Sequence, residues 1–136
     1  KVNSAVKYRE TFRPFAPAVL EEYASEIFII SKKTKIPFME KAVPVKNNWK
    51  RKIPAVVHVD GTARVQTVSK KSNSSFYNLI NEFYKITNIP VLLNTSFNLN
   101  GEPIVMSPSD AIRTFHTCGL DTLVLQDYVI LKKTNK

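Results

Sequence analysis

Apolar positions along this chain change their spacing from one segment to the next. Phe76, Leu79, Ile80, Phe83, Tyr84 and Ile86 recur at helical intervals after the polar stretch Lys70 to Ser75, which predicts an amphipathic helix stopped at Asn88. Pro90 to Leu93 is a short apolar run followed by turn residues and reads as a buried strand. Ser107-Pro108-Ser109-Asp110 offers a hydroxyl cap, a proline and an acidic first turn, opening a second helix over Ser109 to His116 that Cys118-Gly119 closes.

Earlier in the chain, Ala16 to Leu20 reads as a strand entered through Pro17, and Glu21 to Ser25 as a short helix or turn. Ile27 to Ile30 suits a strand or a buried loop, and Ile36 to Val45 a strand broken near Glu40. Ile53 to Val59 and Thr62 to Val68 flank Asp60-Gly61, a strong hairpin signal. In that hairpin Arg64, Gln66 and Val68 share one face, and Ala63, Val65 and Thr67 the other. Leu123 to Leu125 and Val129 to Leu131 read as strands about Asp127. The order predicts one α/β (α+β) domain over residues 1–136, with a single mixed β-sheet and two main helices.

Composition narrows the class. A chain of 136 residues that is 43% hydrophobic builds a real core and is not disordered. No apolar run reaches the ~20 residues of a membrane span. One cysteine, Cys118, makes no internal disulfide and suits a reducing cytoplasm, and with only His58 and His116 beside it a built-in zinc site is not expected. The chain starts at Lys1 without a methionine or a leader, as a piece of a longer protein does. Twenty basic against 11 acidic residues give a net charge of +9, which favours anionic partners and also aids solubility.

Two stretches carry candidate chemistry. Asn94-Thr95-Ser96-Phe97-Asn98, between a strand end and a helix start, packs four short polar side chains where α/β folds often hold a ligand, although a capped turn without a ligand has the same pattern. Lys7-Tyr8-Arg9 and Arg13 are interleaved with aromatics. In an extended segment Lys7 and Arg9 share a face, as an anion site or a solvated edge would have them. Arg64 just past the turn reaches an anion or is an exposed hairpin residue, and His58 reads as a structural, hydrogen-bonded histidine. The basic run Lys46 to Lys52 reads as a surface loop; its Trp49 could alternatively stack on a base.

Four segments in order, Val-Lys-Tyr-Arg-Glu-Thr-Phe-Arg-Pro-Phe-Ala-Pro from Val6, His-Val-Asp-Gly-Thr-Ala-Arg-Val-Gln from His58, Leu-Leu-Asn-Thr-Ser-Phe-Asn from Leu92 and Gly-Glu-Pro-Ile-Val from Gly101, resemble the C-terminal domain of O-carbamoyltransferases of the nodulation and antibiotic-tailoring type. The resemblance covers about Val6 to Leu131 and implies a YrdC/Sua5-like fold. It implies binding of ATP, with Mg2+, and of carbamoyl phosphate, and formation of a carbamoyl-adenylate. A separate N-terminal Kae1-like domain, bearing its own transfer metal, would then pass the carbamoyl group to a hydroxyl. Lys7 and Arg9 match the Lys-x-Arg pair of YrdC-like domains, Ser96 and Asn98 the Ser-x-Asn pair, and Arg13 and Arg64 further phosphate-contacting arginines of the carbamoyltransferases. Asn94 and Thr95 join Ser96 and Asn98 as neutral donors.

The family's upstream Gly-Pro-Arg-Ala-Leu-Gly segment, which supplies another arginine, is not in this sequence, and the metal-bearing domain is not either. The chain alone is therefore expected to be inactive in transfer. Its cations are expected to be exposed, so that removing one leaves stability unchanged. A reading from another class, an RNA-binding module related to YrdC-like tRNA-modification proteins, rests on the basic run and Trp49. The absence of an RNP-type or KH signature speaks against nucleic acid.

Overall fold

The computed structural model describes residues 2–132 apart from 9 and 11. It is a mixed α/β fold whose described chain falls into two compact units, one of Pro14–Thr95 and one combining Lys1–Arg13 with Ser96–Lys136.

In the first unit, β1 (Ala16–Leu20) is the central strand of a three-stranded sheet. β4 (Gln66–Val68) runs parallel to β1 and β5 (Val91–Asn94) antiparallel, so the sheet is mixed as expected. All five β1 residues are buried, as a central strand covered on both faces requires. Helix α3 (Ser74–Thr87) packs Ile80 onto Ala18, Leu20 and Val68, with Tyr23, Phe76, Tyr77 and Leu92 around them. Asn73 caps α3 by accepting from Phe76 N–H at 3.0 Å, and left-handed Asn88 (φ 58°) ends it. Glu21 to Tyr23 is a 3-10 turn that leads into α1 (Ala24–Ile27).

Three expectations change here. Ile36 to Val45 yields only β2 (Ala42–Pro44), although Ile36 is buried and its N–H donates to Thr67 Oγ1. Asp60-Gly61 does make a tight turn: Gly61 N–H donates to His58 O at 2.9 Å and His58 N–H to Thr62 O at 2.7 Å. The expected hairpin does not follow, because Pro54 has no N–H and opens a 3-10 turn (Pro54–Val56) where a strand was expected. β3 (Thr62–Arg64) pairs with β2 instead, Ala42 opposite Arg64, and Val65 separates it from β4. The alternation of burial holds from Ala63 to Thr67, with Ala63, Val65 and Thr67 buried, Arg64 exposed and Gln66 half-buried, and ends at Val68, which is buried under α3. Lastly, Lys46 to Lys52 is not a loose loop but contains α2 (Asn47–Lys50), whose Trp49 is only 5% exposed.

The other unit holds a short π-helix (Asn3–Lys7), α4 (Pro108–Thr117) and the antiparallel ribbon β6 (Thr122–Leu125) and β7 (Tyr128–Leu131). These two strands form a sheet of their own, so among the described residues the single sheet expected from the sequence is three sheets. Ala111 and Phe115 of α4 bury against Leu123, with Phe97, Val105, Leu125 and Ile130 around them.

A full capping box opens α4. Asp110 N–H donates to Ser107 Oγ at 3.1 Å, and Asp110 Oδ2 accepts from the Ser107 hydroxyl at 2.7 Å and from its N–H at 3.2 Å. The Ser107 hydroxyl, foremost, holds the Asp110 carboxyl below its usual value, and Arg113 beside it acts in the same direction. Because the folded value is depressed, the stabilisation is present above the unfolded value and is lost as pH falls below about 4. Protection of the first-turn amides of α4, taken relative to their intrinsic exchange, is expected to fall over that range while that of α3, capped by the non-ionising Asn73, changes less. A parallel change in both helices would show that Asp110 is not the source.

Candidate functional site

The π-helix delivers Lys7 at its last position, two residues beyond Ala5, and Tyr8 then turns the chain with a left-handed φ of 48°. A bulky residue in that region is strained, and such strain tends to persist where the surroundings over-determine it. Lys7 is therefore not in an extended segment, and it is only 5% exposed. Its ammonium is seated on the polar loop after β5. Nζ donates to Asn98 Oδ1 at 2.7 Å and Asn98 O at 3.0 Å, and lies within reach of Ser96 O at 2.5 Å and Ser96 Oγ at 3.3 Å.

The loop is braced from within. Ser96 Oγ donates to Asn98 Oδ1 at 2.7 Å, and Asn98 Nδ2 donates to Glu102 O at 2.7 Å. Val105 N–H returns to Phe97 O at 3.0 Å, which closes the segment over Phe97. These four acceptors of Lys7 are neutral oxygens that orient the ammonium. The arrangement is a clasp in which one lysine ammonium ties together the carbonyl and side-chain oxygens of Ser96 and Asn98.

The remaining predicted residues have different surroundings. Arg9 lies outside the described residues. Arg13 is exposed and its Nε pairs with Glu10 Oε2 at 3.0 Å, an exposed pair of little energetic weight. Arg64 is exposed at the end of β3. The turn before it is set by Asp60, whose Oδ1 accepts from Thr62 N–H at 2.9 Å and from its hydroxyl at 2.8 Å; these bonds hold the Asp60 carboxyl below its usual value. His58 Nδ1 is 3.0 Å from Thr62 Oγ1, the structural role read from the sequence.

Asn94 ends β5 half-buried, and its Nδ2 donates to Gln66 Oε1 at 2.8 Å. Gln66 stands opposite Ala18 and Asn94 opposite Ala16, so the two amides meet over the small side chains of β1. Gln66 in turn donates to Pro37 O at 3.1 Å. Thr95 is half-buried between Asn94 and the loop.

Of the residues singled out from the sequence, the fold brings Lys7, Ser96 and Asn98 together; Gln66 and the Glu102 carbonyl, which bond Asn94 and Asn98, were not among them. Gln66 sits inside one of the quoted motifs, a signal that could have singled it out. A carbonyl partner leaves no mark in a sequence. A separate cavity of about 190 Å3 lies between Glu102–Met106 and α4, lined by Asp110, Arg113 and Thr114 among others, and takes in none of the predicted residues. Among the described residues no three or more His, Cys, Asp or Glu come together as a metal site, and no helix is long and apolar enough to cross a membrane.

The burial of Trp49 bears on the RNA reading. The indole is core, with Lys52 Nζ 4.5 Å from the ring centroid, and offers no open face for a base. Trp49 is the chain's one tryptophan, so its emission reports on this directly. Adding single-stranded RNA is expected to leave that emission unchanged; a saturable quench would restore the stacking role.

A mixed α/β protein with a lysine-clasped Ser-x-Asn loop is the class that the fold and this site define. The chain belongs to the carbamoyltransferase C-terminus family, whose model matches residues 1–132. It is 51% identical over 135 residues to nodulation protein NolNO of Sinorhizobium fredii, covering 98% of this chain and 20% of that protein. Nodulation protein NolO of Bradyrhizobium diazoefficiens is 51% identical over 134 residues, 98% of this chain and 24% of that protein. Nodulation protein U of Rhizobium tropici is 50% identical over 96 residues, 71% of this chain and 16% of that protein. The chain therefore spans about a fifth to a quarter of the length of the two NolO-type relatives.

Proposed function

We propose that this chain is the ATP- and carbamoyl-phosphate-handling C-terminal domain of an O-carbamoyltransferase, with a YrdC/Sua5-like fold, working in the cytoplasm. The observation that supports this best is the clasp. Lys7 is hydrogen-bonded to Ser96 and Asn98, 89 and 91 residues away in sequence, and these three residues match three of the four positions of the family's Lys-x-Arg and Ser-x-Asn pairs.

The chemistry assigns each residue a task. Carbamoyl phosphate loses its phosphoryl group to water, giving phosphate and carbamate. A carbamate oxygen then attacks the α-phosphorus of ATP, the bond from that phosphorus to the bridging oxygen breaks, and pyrophosphate leaves with the electron pair. In the second step nucleophile, centre and leaving group all carry negative charge, so positioned cations are the main catalytic contribution, and carbamate, already an anion, requires no general base. Arg9, Arg13 and Arg64 are the phosphate-contacting cations, suited by their forked donors. Lys7 holds the Ser96–Asn98 loop and adds its charge to it. Asn94, Thr95, Ser96 and Asn98 supply neutral polar groups. Magnesium arrives with the nucleotide phosphates rather than on a carboxylate cluster of this chain. Transfer to a hydroxyl belongs to an N-terminal Kae1-like domain that carries the transfer metal.

Calorimetry of the 136-residue chain with ATP and magnesium tests the reading. Saturable binding is expected, with no carbamoyl transfer to any acceptor by the chain alone. No heat of binding in this chain, together with no ATP–pyrophosphate exchange in a full-length protein that carries it, would sink the proposal.

A further inference from the structure

The π-helix that carries Lys7 stops abruptly at Tyr8, and the carbonyls of a helix's last turn look outside the helix for donors. Gly119, directly after Cys118 at the end of α4, supplies one from outside: its N–H donates to Ala5 O at 2.6 Å. Gly119 has no positive φ, so its backbone is one that any residue adopts and the constraint is space. A Cβ there would lie 2.7 Å from Ala5 Cβ and 2.9 Å from Ala5 O. Apolar carbons rest at about 3.5–4.0 Å, so a single methyl group would have to push the π-helix away by roughly 1 Å.

The other side of this contact is held firmly. Cys118 is buried, its Sγ contacts Phe115 O, and its carbonyl accepts from Lys132 Nζ. Phe115 belongs to the core of the unit. The Gly119 side is therefore the fixed partner and the π-helix the element that yields. Ala5 precedes Lys7 by two residues, and the Lys7 contacts with Ser96 and Asn98 span only 2.5–3.3 Å. Hydrogen bonds of that length do not survive a displacement of roughly 1 Å.

We infer that Gly119 is a positioning residue: by letting its N–H reach Ala5 O, it sets where the π-helix stands and so seats the Lys7 ammonium on the Ser96–Asn98 loop. The functional weight of this rests on the reading of Lys7 as a site residue, but the seating itself is measurable without any nucleotide.

The test is nitrogen-15 NMR of lysine side-chain ammonium groups in the 136-residue chain. A buried, multiply bonded ammonium exchanges slowly with water and gives a signal that exposed lysines lack. Lys7→Met assigns that signal by deleting it. Gly119→Ala is expected to abolish or strongly shift it while the amide spectrum of Pro14–Thr95 stays in place. Gly119→Ala combined with Ala5→Gly, which removes the nearest clashing atom, is expected to recover part of it. Ala5→Val, which crowds the same contact from the π-helix side, is expected to reproduce the loss. An unchanged Lys7 signal in folded Gly119→Ala overturns the inference. Unfolding of both single variants without recovery in the double also overturns it, since Gly119 would then be a general packing residue. If the signal behaves as expected and ATP fails to bind, the seating stands and only the functional reading falls.

Discussion

Lys7→Ala lowers the unfolding midpoint of the chain by roughly 10 °C, an effect of about 3 kcal/mol at 2–4 °C or more per kcal/mol for a protein of this size. The reason is burial. Lys7 is 5% exposed, and its ammonium bonds to Ser96 and Asn98. Hydrogen bonds to a charged group contribute about 1.5–3 kcal/mol, while the acceptors lie on an exposed Ser96 and a half-buried Asn98, where water takes up part of what the lysine gave. Asn98 Oδ1 keeps the Ser96 hydroxyl as a donor, and relief of the lysine's own desolvation returns part of the loss. The net is therefore well below the sum. The exposed-cation expectation drawn from sequence, of no change in stability, reverses for this residue.

The same substitution in a full-length protein is expected to abolish ATP–pyrophosphate exchange, because the loop loses its charge and its shape together. Lys7→Arg should not rescue, since a planar fork does not reproduce the set of directions an ammonium offers to these oxygens. A midpoint within a degree of wild type would show that the ammonium does not hold the loop.

Arg64→Ala is expected to separate activity from stability. Arg64 is exposed at the end of β3, and its pairing with Ala42 is through the backbone, which alanine keeps. Surface changes of this kind stay within about 0.5 kcal/mol. In the proposed reaction a positioned cation at the transferring group contributes on the order of 2.7–4 kcal/mol to the barrier, about 10²–10³-fold in rate, by analogy with oxyanion donors. The check is carbamoyl-phosphate-dependent ATP–pyrophosphate exchange in the full-length protein, read beside a melting curve. Arg64→Lys should recover only part of the rate, because it restores charge without the bidentate fork. A wild-type exchange rate in Arg64→Ala would make Arg64 a solvated strand residue and nothing more. The opposite stability outcomes expected for Lys7 and Arg64, two cations in quoted motifs, come entirely from where the fold leaves them.

The sequence alone determined the features whose energy is local. The cap at Ser107, the stop at Asn88, the two main helices and the strands at β1, β5, β6 and β7 depend on residues within about one turn or one strand of each other, so pattern and turn chemistry sufficed. The motifs also carried the family, because side-chain identity at matched positions is itself sequence.

What the tertiary structure decided depends on contacts distant in the chain. β3 took β2 as its partner because Pro54 denied a strand to the segment before the turn. Trp49 went inside a run of basic neighbours because a four-residue helix aims one side chain inward while the lysines and arginine around it stay at or near solvent. Lys7 was buried because oxygens 89 and 91 residues away met its ammonium, and Gly119 mattered because a helix backbone came within 2.6 Å of its N–H. Neither the burial of a charge nor the room required for a missing methyl group is a property of the residue itself; each is set by what the rest of the chain brings against it.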